Sequence, residues 1–279
     1  MTIATLTQVL RPAMQHGYAV AGVVCLGWED MCAFVAAAEA ERAPLILQAG
    51  PGCRAHTPLP IIAKMFRYLA ENASVPIVAH LDHGYSASEC RQAITEGFTS
   101  VMFDGSKKSL RENIDETAAI VALAHQASVS CEGEIGFVGY AGGADSNGTD
   151  PQEAAQFARE TGVDAMAISV GNVHLQQNKN GGLDEARISA VQALTHVPLV
   201  VHGGSGVPVA QRRLLSAKSH ICKFNIGTEL RMAFGQALRV AVNRDIRRFD
   251  RLEFLKETHD PVMQAARLAI QSVGASGRA

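Results

Sequence analysis

Long apolar runs are missing from this chain of 279 residues. Nowhere does it offer the about 20 consecutive apolar residues that a membrane-spanning helix needs, which excludes a helical membrane span. Excess charge of one sign is missing too. The formal net charge is −2, so no bulk attraction to nucleic acid or to an anionic lipid surface is expected. The one basic stretch, Arg244–Arg251, is broken by Asp245 and Asp250 and reads as a solvated helix face. The six cysteines (Cys25, Cys32, Cys53, Cys90, Cys131, Cys222) make no CxxC pair and no even framework. Cys131 and Cys222 fall inside strand-like runs, where a free thiol packs as a small hydrophobe. The chain is therefore expected to be reduced, intracellular and cytoplasmic. The N-terminus has no apolar core leading to a small-residue cleavage site, so no secretory leader is expected. No Pro/Ser-rich linker divides the chain, and residues 1–279 are read as one domain.

With 47% hydrophobic and 19% charged residues the chain can bury a sizeable core, and its length suits one α/β barrel. Three apolar runs each end in a histidine: Pro76-Ile-Val-Ala-His-Leu-Asp-His83, Ala165-Met-Ala-Ile-Ser-Val-Gly-Asn-Val-His174 and Pro198-Leu-Val-Val-His202. Such runs read as buried parallel strands meeting their loops. Three strand ends converge only in a closed sheet. Three imidazoles around one point, with a fourth position open, would make a catalytic zinc site.

The remaining pattern supports closure. Strands are expected at Tyr18–Val24, Pro44–Ala49, Pro76–Leu81, Ser100–Phe103, Ser128–Glu132, Ala165–Val170, Pro198–Val201 and Ile221–Asn225. Helical patterns follow them at Glu29–Arg42, Leu59–Asn72, Ser86–Glu96, Lys107–His125, Pro151–Thr161, Asp184–Leu194, Val209–Ala217 and Glu229–Asn243. Ser86-Ala-Ser-Glu89 is a capping-box pattern, and Asp150-Pro151 places an N-cap before a proline suited to the first helical turn. Eight strand–helix units predict a (β/α)8 TIM barrel, with one extra C-terminal helix at His259–Val273.

The polar residues gather at strand C-terminal ends, where barrel active sites are built. In His80-Leu-Asp82-His83-Gly84, Asp82 and His83 both reach the barrel mouth, and Asp82 is a candidate acid/base or orienter of a ligand. His80 is expected to line the interior. Val201-His202-Gly-Gly-Ser-Gly206 is a glycine-rich turn opening a helix, whose bare N–H groups suit a phosphate. Its partner is Lys223-Phe-Asn225-Ile-Gly227-Thr228, on the next strand. Of the carboxylates in Glu132-Gly-Glu134, one is expected to bear on the metal site and the other to support a ligand or loop, with Glu132 taken on the metal and Glu134 in the catalytic set. Phe137–Thr149 is too long for a minimal turn and is a candidate lid. Such a metal polarises a ketone and stabilises an enediolate, while Asp82 moves a hydroxyl proton as a carbon–carbon bond forms or breaks.

These residues resemble the class II, metal-dependent ketose-phosphate aldolases, which include the fructose- and tagatose-bisphosphate aldolases. The resemblance runs from Gly17-Tyr-Ala-Val to Ala265-Ala-Arg. It is carried by Ala79-His-Leu-Asp82-His83-Gly84, Glu132-Gly-Glu134-Ile-Gly136, Thr149-Asp-Pro151, Thr161-Gly-Val-Asp164, Val201-His-Gly-Gly-Ser-Gly-Val-Pro208 and Asn225-Ile-Gly-Thr-Glu-Leu230. It implies zinc on His83, His174 and His202, with Asp82 as acid/base. Dihydroxyacetone phosphate would lie on Gly203, Gly204, Ser205, Asn225, Gly227 and Thr228, often beside a monovalent cation (Na+ or K+). The implied partner is a small sugar phosphate, and relatives assemble as dimers or tetramers. Here Glu229–Arg248 and the C-terminal helix would supply the interface.

The departures cluster. Ala21-Gly-Val-Val-Cys25 lacks the family's asparagines, Gln48-Ala49-Gly50 has glycine for serine, and His259-Asp-Pro-Val262-Met263 has lost two cations. These positions handle the aldehyde half and its distal phosphate, where a lost arginine costs a bidentate partner. Leu175 replaces a glycine, and Gly142-Gly143 stands where the lid carries acids, with Asp145 the nearest acid. The expectation is an aldolase that keeps the metal and the ketone half but takes a changed aldehyde, unphosphorylated or smaller, with poor fructose-1,6-bisphosphate cleavage. A non-catalytic metal and sugar-phosphate binder is the alternative. A barrel metallohydrolase is a third class, opposed by the phosphate cradle.

Overall fold

The computed structural model describes residues 2–178 and 182–279. A two-residue strand β1 (Ile3–Ala4) and helix α1 (Leu6–His16) precede the repeating units. These run β2 (Val20–Val24), α2 (Trp28–Glu41), β3 (Leu45–Ala49), α3 (Pro51–His56), α4 (Leu59–Asn72), β4 (Ile77–Gly84), α5 (Ala87–Glu96), β5 (Ser100–Phe103) and α6 (Leu110–Gln126). They continue with β6 (Ser130–Ile135), α7 (Pro151–Thr161), β7 (Ala165–Ile168), α8 (Glu185–Gln192), β8 (Leu199–Val201), a short 3-10 turn (Gly204–Gly206), α9 (Val209–Lys218), β9 (Ile221–Ile226), α10 (Thr228–Arg244) and α11 (Arg251–Ser272).

Strands β2 to β9 pair in parallel around a ring that the β4–β5 pairing closes, the expected TIM barrel with an added C-terminal helix. Strand β1 lies on β4 at Ile77 and Val78, just before β5 joins at His80. Nearly every strand residue is buried because each strand faces packed side chains inside and helices outside. Phe34, Phe66, Phe98 and Phe157 fill the outer layer between sheet and helices. All six cysteines are free, and Cys131 and Cys222 are buried as expected.

The eight expected strands form within a few residues of their sequence bounds. Helix α1, with Pro12 inside it, lies ahead of the eight expected strand–helix units. Its start was legible: Thr5 and Gln8 form a reciprocal capping box, with N···O distances of 2.8 and 3.3 Å. Helix α11 begins at the Asp250 cap and runs through Pro261, so it is longer than His259–Val273. Arg244–Arg251 is accordingly not one helix face. It spans the end of α10 and the turn into α11, where Arg248 pairs with Glu253 and Glu257. Ser86 caps α5 through the Glu89 N–H, but the Glu89 carboxylate takes the Tyr85 N–H and Arg54 instead of closing the box. Asp150 caps α7 as expected, accepting from Gln152 and Glu153.

Candidate active site

The C-terminal ends of three strands and the loops that follow them bring the expected histidines together. His83 comes from β4, His174 from the loop after β7 and His202 from the end of β8. Their ring centroids are 5.3, 4.7 and 5.7 Å apart, and one nitrogen of each lies within 4.8 Å of the others. Each outer histidine is braced. His83 Nδ1 is 2.8 Å from Asp104 Oδ2, and His202 Nε2 is 3.1 Å from Glu132 Oε1. A carboxylate behind an imidazole is the usual support of a metal-binding histidine. The inner nitrogen of His202, Nδ1, is buried and unpartnered, and so is Glu134 Oε2, 3.6 Å away. Two buried acceptor atoms that face each other with no hydrogen-bond partner fit a cation between them. The donor set, nitrogen-rich with an open side, fits zinc.

The two glutamates divide their work differently from the expectation. Glu132, expected on the metal, points away from the cluster. It lies between His202 and the fully buried Lys223, whose Nζ is 2.6 Å from Glu132 Oε2. Alternation along β6 sends Glu134 to the same interior side one pleat nearer the mouth, and its carboxylate is the one that faces His83 and His202. His80 lines the interior as expected, between Ser100 (2.8 Å) and Lys223 (3.3 Å).

Asp82 lies beside the histidines, and its Oδ1 accepts from Gln48 Nε2 (2.9 Å) and Asn225 Nδ2 (3.1 Å). Gly22 makes room for this arrangement. A Cβ there would come within 2.3 Å of Gln48 Oε1 and 3.0 Å of Asn225 Oδ1. Burial alone would raise the Asp82 carboxyl, but charge at His83 and Lys223 outweighs it and holds the group below its ordinary value. Asp82 is thus kept ionised. Burial lowers His174 to about 4 and His202 well below the ordinary histidine value, so both keep free lone pairs at neutral pH.

Burial opposes charge on His83 too, but Asp82, the Asp104 hydrogen bond and Glu134 prevail and carry it up to about 9. Burial, reinforced by the charge of Asp104, raises Glu134 to about 8. His83 therefore holds a proton at neutral pH that a metal must displace. Zinc uptake should release protons, and its apparent affinity should climb as pH rises from 6 towards about 9. Calorimetric titration with zinc in buffers of different ionisation heat checks this; an affinity independent of pH would remove His83 from the ligand set.

The cavity in front of the cluster measures about 320 Å³. Gly203, Ser205, Asn225, Gly227 and Thr228 line it, but Gly204 sits behind its wall, packed against Phe224 and Asn225. Gly203 adopts φ +64, and a Cβ there would strike the Val173 carbonyl at 2.2 Å. Ser205 Oγ accepts from the Gly227 and Glu229 N–H groups at 3.3 Å each, tying this loop to the N-terminus of α10. Tyr85 and Tyr140 wall the other side, stacked on His83 and His174. The segment 137–149 folds back on itself, pairing Phe137 with Asn147, and bridges to the His174 loop through Tyr140.

Leu175 also lines the cavity and has φ +59, a left-handed conformation that disfavours a branched side chain. It is 49% exposed and gains little packing in return. Leu175→Gly should therefore raise stability by about 1 kcal/mol, read as a shifted denaturant midpoint with an unchanged slope. A fall in the midpoint would contradict this account.

Sequence reasoning missed Gln48, Asp104, Lys223 and the two tyrosines. Asp104 follows an expected strand directly, the same signal that singled out His83. Gln48 and Lys223 lie inside strands, and only barrel closure shows that they face inward.

The family model for "Fructose-bisphosphate aldolase class-II" matches residues 4–278. A fructose-bisphosphate aldolase of Geobacillus stearothermophilus is 33% identical over 289 aligned residues, covering 100% of this chain and 99% of its own. A 6-phospho-5-dehydro-2-deoxy-D-gluconate aldolase of Shouchella clausii is 34% identical over 285 residues, covering 100% and 97%. The crystal structure of the YdjI aldolase from Escherichia coli K12 superposes with a TM-score of 0.87 at 31% identity, covering 99% of both chains.

Proposed function

The chain belongs to the class II fructose-bisphosphate aldolase family, and within it we propose a zinc-dependent aldolase that reversibly cleaves a ketose phosphate to dihydroxyacetone phosphate and an aldehyde. The observation that carries this is that Asp82, His83 and His174 line one cavity with the phosphate cradle, and that fully buried His202 completes their imidazole cluster. His83, His174 and His202 would hold the zinc, with Glu134 beside them. Bound zinc would polarise a substrate ketone and stabilise negative charge on its oxygen.

The chain's own groups supply the rest. Gly203, Ser205, Gly227 and Thr228 line the cavity at the N-terminus of α10, where N–H groups and the helix dipole would favour a phosphate. That anchorage orients the ketone towards the histidines. Asp82, ionised and held by Gln48 and Asn225, is placed to take the hydroxyl proton as the carbon–carbon bond breaks, and to return it in the condensation direction. Tyr85, Tyr140 and Leu175 narrow access of water to the cavity.

Fructose-1,6-bisphosphate is not the substrate this cavity favours. Gly50 lies bare on the wall, where an added Cβ would sit 3.5 Å from Asp82 Oδ2. Helix α11 carries Val262 into the core, so no cation comes from that segment. Among the described residues the only guanidinium or ammonium lining the cavity is that of Arg231. The relatives named for a bisphosphate and for a deoxygluconate substrate are 33% and 34% identical, so identity does not choose between them. The test compares cleavage of fructose-1,6-bisphosphate with that of ketose 1-phosphates lacking the distal phosphate. We expect kcat/KM to be at least about tenfold lower for the bisphosphate; equal or faster bisphosphate cleavage would overturn the substrate assignment.

The alternative, a relative that binds metal and sugar phosphate without catalysis, draws on Gly142-Gly143 in the exposed part of the 137–149 segment, where the family carries acids. A cytoplasmic homo-oligomer completes the proposal. Ile246 and Phe249, at the turn between α10 and α11, are 96% and 92% exposed and support assembly through these helices. Among the described residues no helix is long and apolar enough to cross a membrane.

A further inference from the structure

Asp82 and His83 are neighbours in sequence, yet both line the same cavity. A regular strand sends consecutive side chains to opposite faces. Strand β4 escapes this rule by a bulge. Leu81 pairs with Val101 and Gly84 with Phe103, so two residues of β4, Asp82 and His83, stand opposite the single Met102 of β5. His83 takes φ +50 to complete the turn-out. Gly84 closes it tightly, since a Cβ there would lie 2.7 Å from the Met102 carbonyl and 2.9 Å from Cys90 Sγ. Bulged carbonyls lose their ladder partners, and a left-handed non-glycine residue persists only where its surroundings hold it.

The holder is on α3. Arg54 Nη1 donates to the Asp82 carbonyl at 2.6 Å and to the Ala49 carbonyl at 2.5 Å, and Nη2 donates to the His83 carbonyl at 2.9 Å. Its Nε donates to Glu89 Oε1 at 2.8 Å, and the side chain is only 8% exposed. Glu89 in turn accepts from the Tyr85 N–H at 3.0 Å, fixing the chain just past the bulge. One planar fork thus joins the ends of β3 and β4, a task that needs several fixed donors and that an ammonium group meets poorly.

We infer that Arg54 is a positioning residue that locks the β4 bulge and so turns the acid/base Asp82 and the ligand His83 into one cavity. The inference rests on the aldolase reading for its effect on rate, but not for its effect on metal binding. The guanidinium stays behind the backbone. It supplies no proton, and it acts on chemistry only through the placement of these two side chains.

Zinc affinity of the full chain, measured by competition with a chromophoric chelator, tests this alongside ketose-phosphate cleavage. Arg54→Lys keeps the charge beside Glu89 and drops the fork. It should fold as the wild type does by near-ultraviolet circular dichroism, bind zinc about 10- to 100-fold more weakly and lose a similar factor in kcat, with KM little changed because the phosphate cradle is untouched. Arg54→Ala should lose as much and recover part of both properties in millimolar guanidinium chloride, but not in sodium chloride. Should the alanine variant fail to fold, the lysine variant decides alone. A folded Arg54→Lys with zinc affinity and kcat within about twofold of wild type would overturn the inference. A wild type that cleaves no ketose phosphate, with Arg54→Lys still weakening zinc, would end the aldolase reading and leave the role of Arg54 standing.

Discussion

Replacing Asp82 by alanine is expected to lower ketose-phosphate cleavage by about 10³-fold, the loss typical of a positioned acid/base, while zinc stays bound. The two halves of that result have separate causes. Asp82 meets the hydrogen-bond donors Gln48 and Asn225, while the partners of His83 and His202 are Asp104 and Glu132. Removing the carboxylate therefore leaves both braced histidines in place. It also leaves the Gln48 and Asn225 amides without an acceptor in a buried setting, a modest loss of about 1–3 kcal/mol in stability. The measurement pairs initial rates with the zinc content of the purified variant. Full zinc with the rate gone rejects the purely binding alternative, because a non-catalytic relative has no rate to lose. Cleavage within a few-fold of wild type would remove Asp82 from the mechanism.

His202→Ala should act from the other side, removing zinc and activity together. His202 is fully buried, with Nδ1 open to the cluster and Nε2 on Glu132. Its loss deletes one of the three clustered imidazoles, so zinc affinity should fall by more than the about 100-fold that loss of a supporting residue costs. Glu132→Gln makes the informative contrast. It keeps the shape behind His202 but removes the charge, both from that imidazole and from Lys223, so its effect on zinc should lie within about 10- to 100-fold. Chelator competition orders the two variants. A greater effect from Glu132→Gln than from His202→Ala would place Glu132, not His202, on the metal. Such a result would restore the ligand assignment that its position behind His202 argues against.

Much of this site could be read from the chain, and the reason is strand chemistry. A parallel strand buried on both faces is a short aliphatic run, and a polar residue ending it lies at the barrel mouth. His83, His202 and Asp82 are marked in this way, and the eight runs fix barrel closure. Position within a strand is less legible. Which of Glu132 and Glu134 faces the clustered histidines depends on one pleat of β6, and Gly133 between them gives no clue to the choice. The inward faces of Gln48, Lys223 and Asn225 emerge only from registers between strands far apart in the chain. Asn225, expected at the phosphate, lines the cavity beside the cradle and also donates to Asp82. Helices α1 and α11 were obscured by prolines that both tolerate, at Pro12 and Pro261. The β4 bulge was the least legible feature. No residue type announces it, and its lock, Arg54, comes from another strand–helix unit.

Exchange of a carbon-bound proton of dihydroxyacetone phosphate tests the central claim most directly, since it needs no knowledge of the aldehyde. Proton NMR in D2O would follow the ketone with zinc-loaded protein, before and after a chelator. The account predicts loss of one C–H signal that depends on zinc and stops when the metal is withdrawn. No exchange, with zinc confirmed on the protein and the ketone bound, would contradict it.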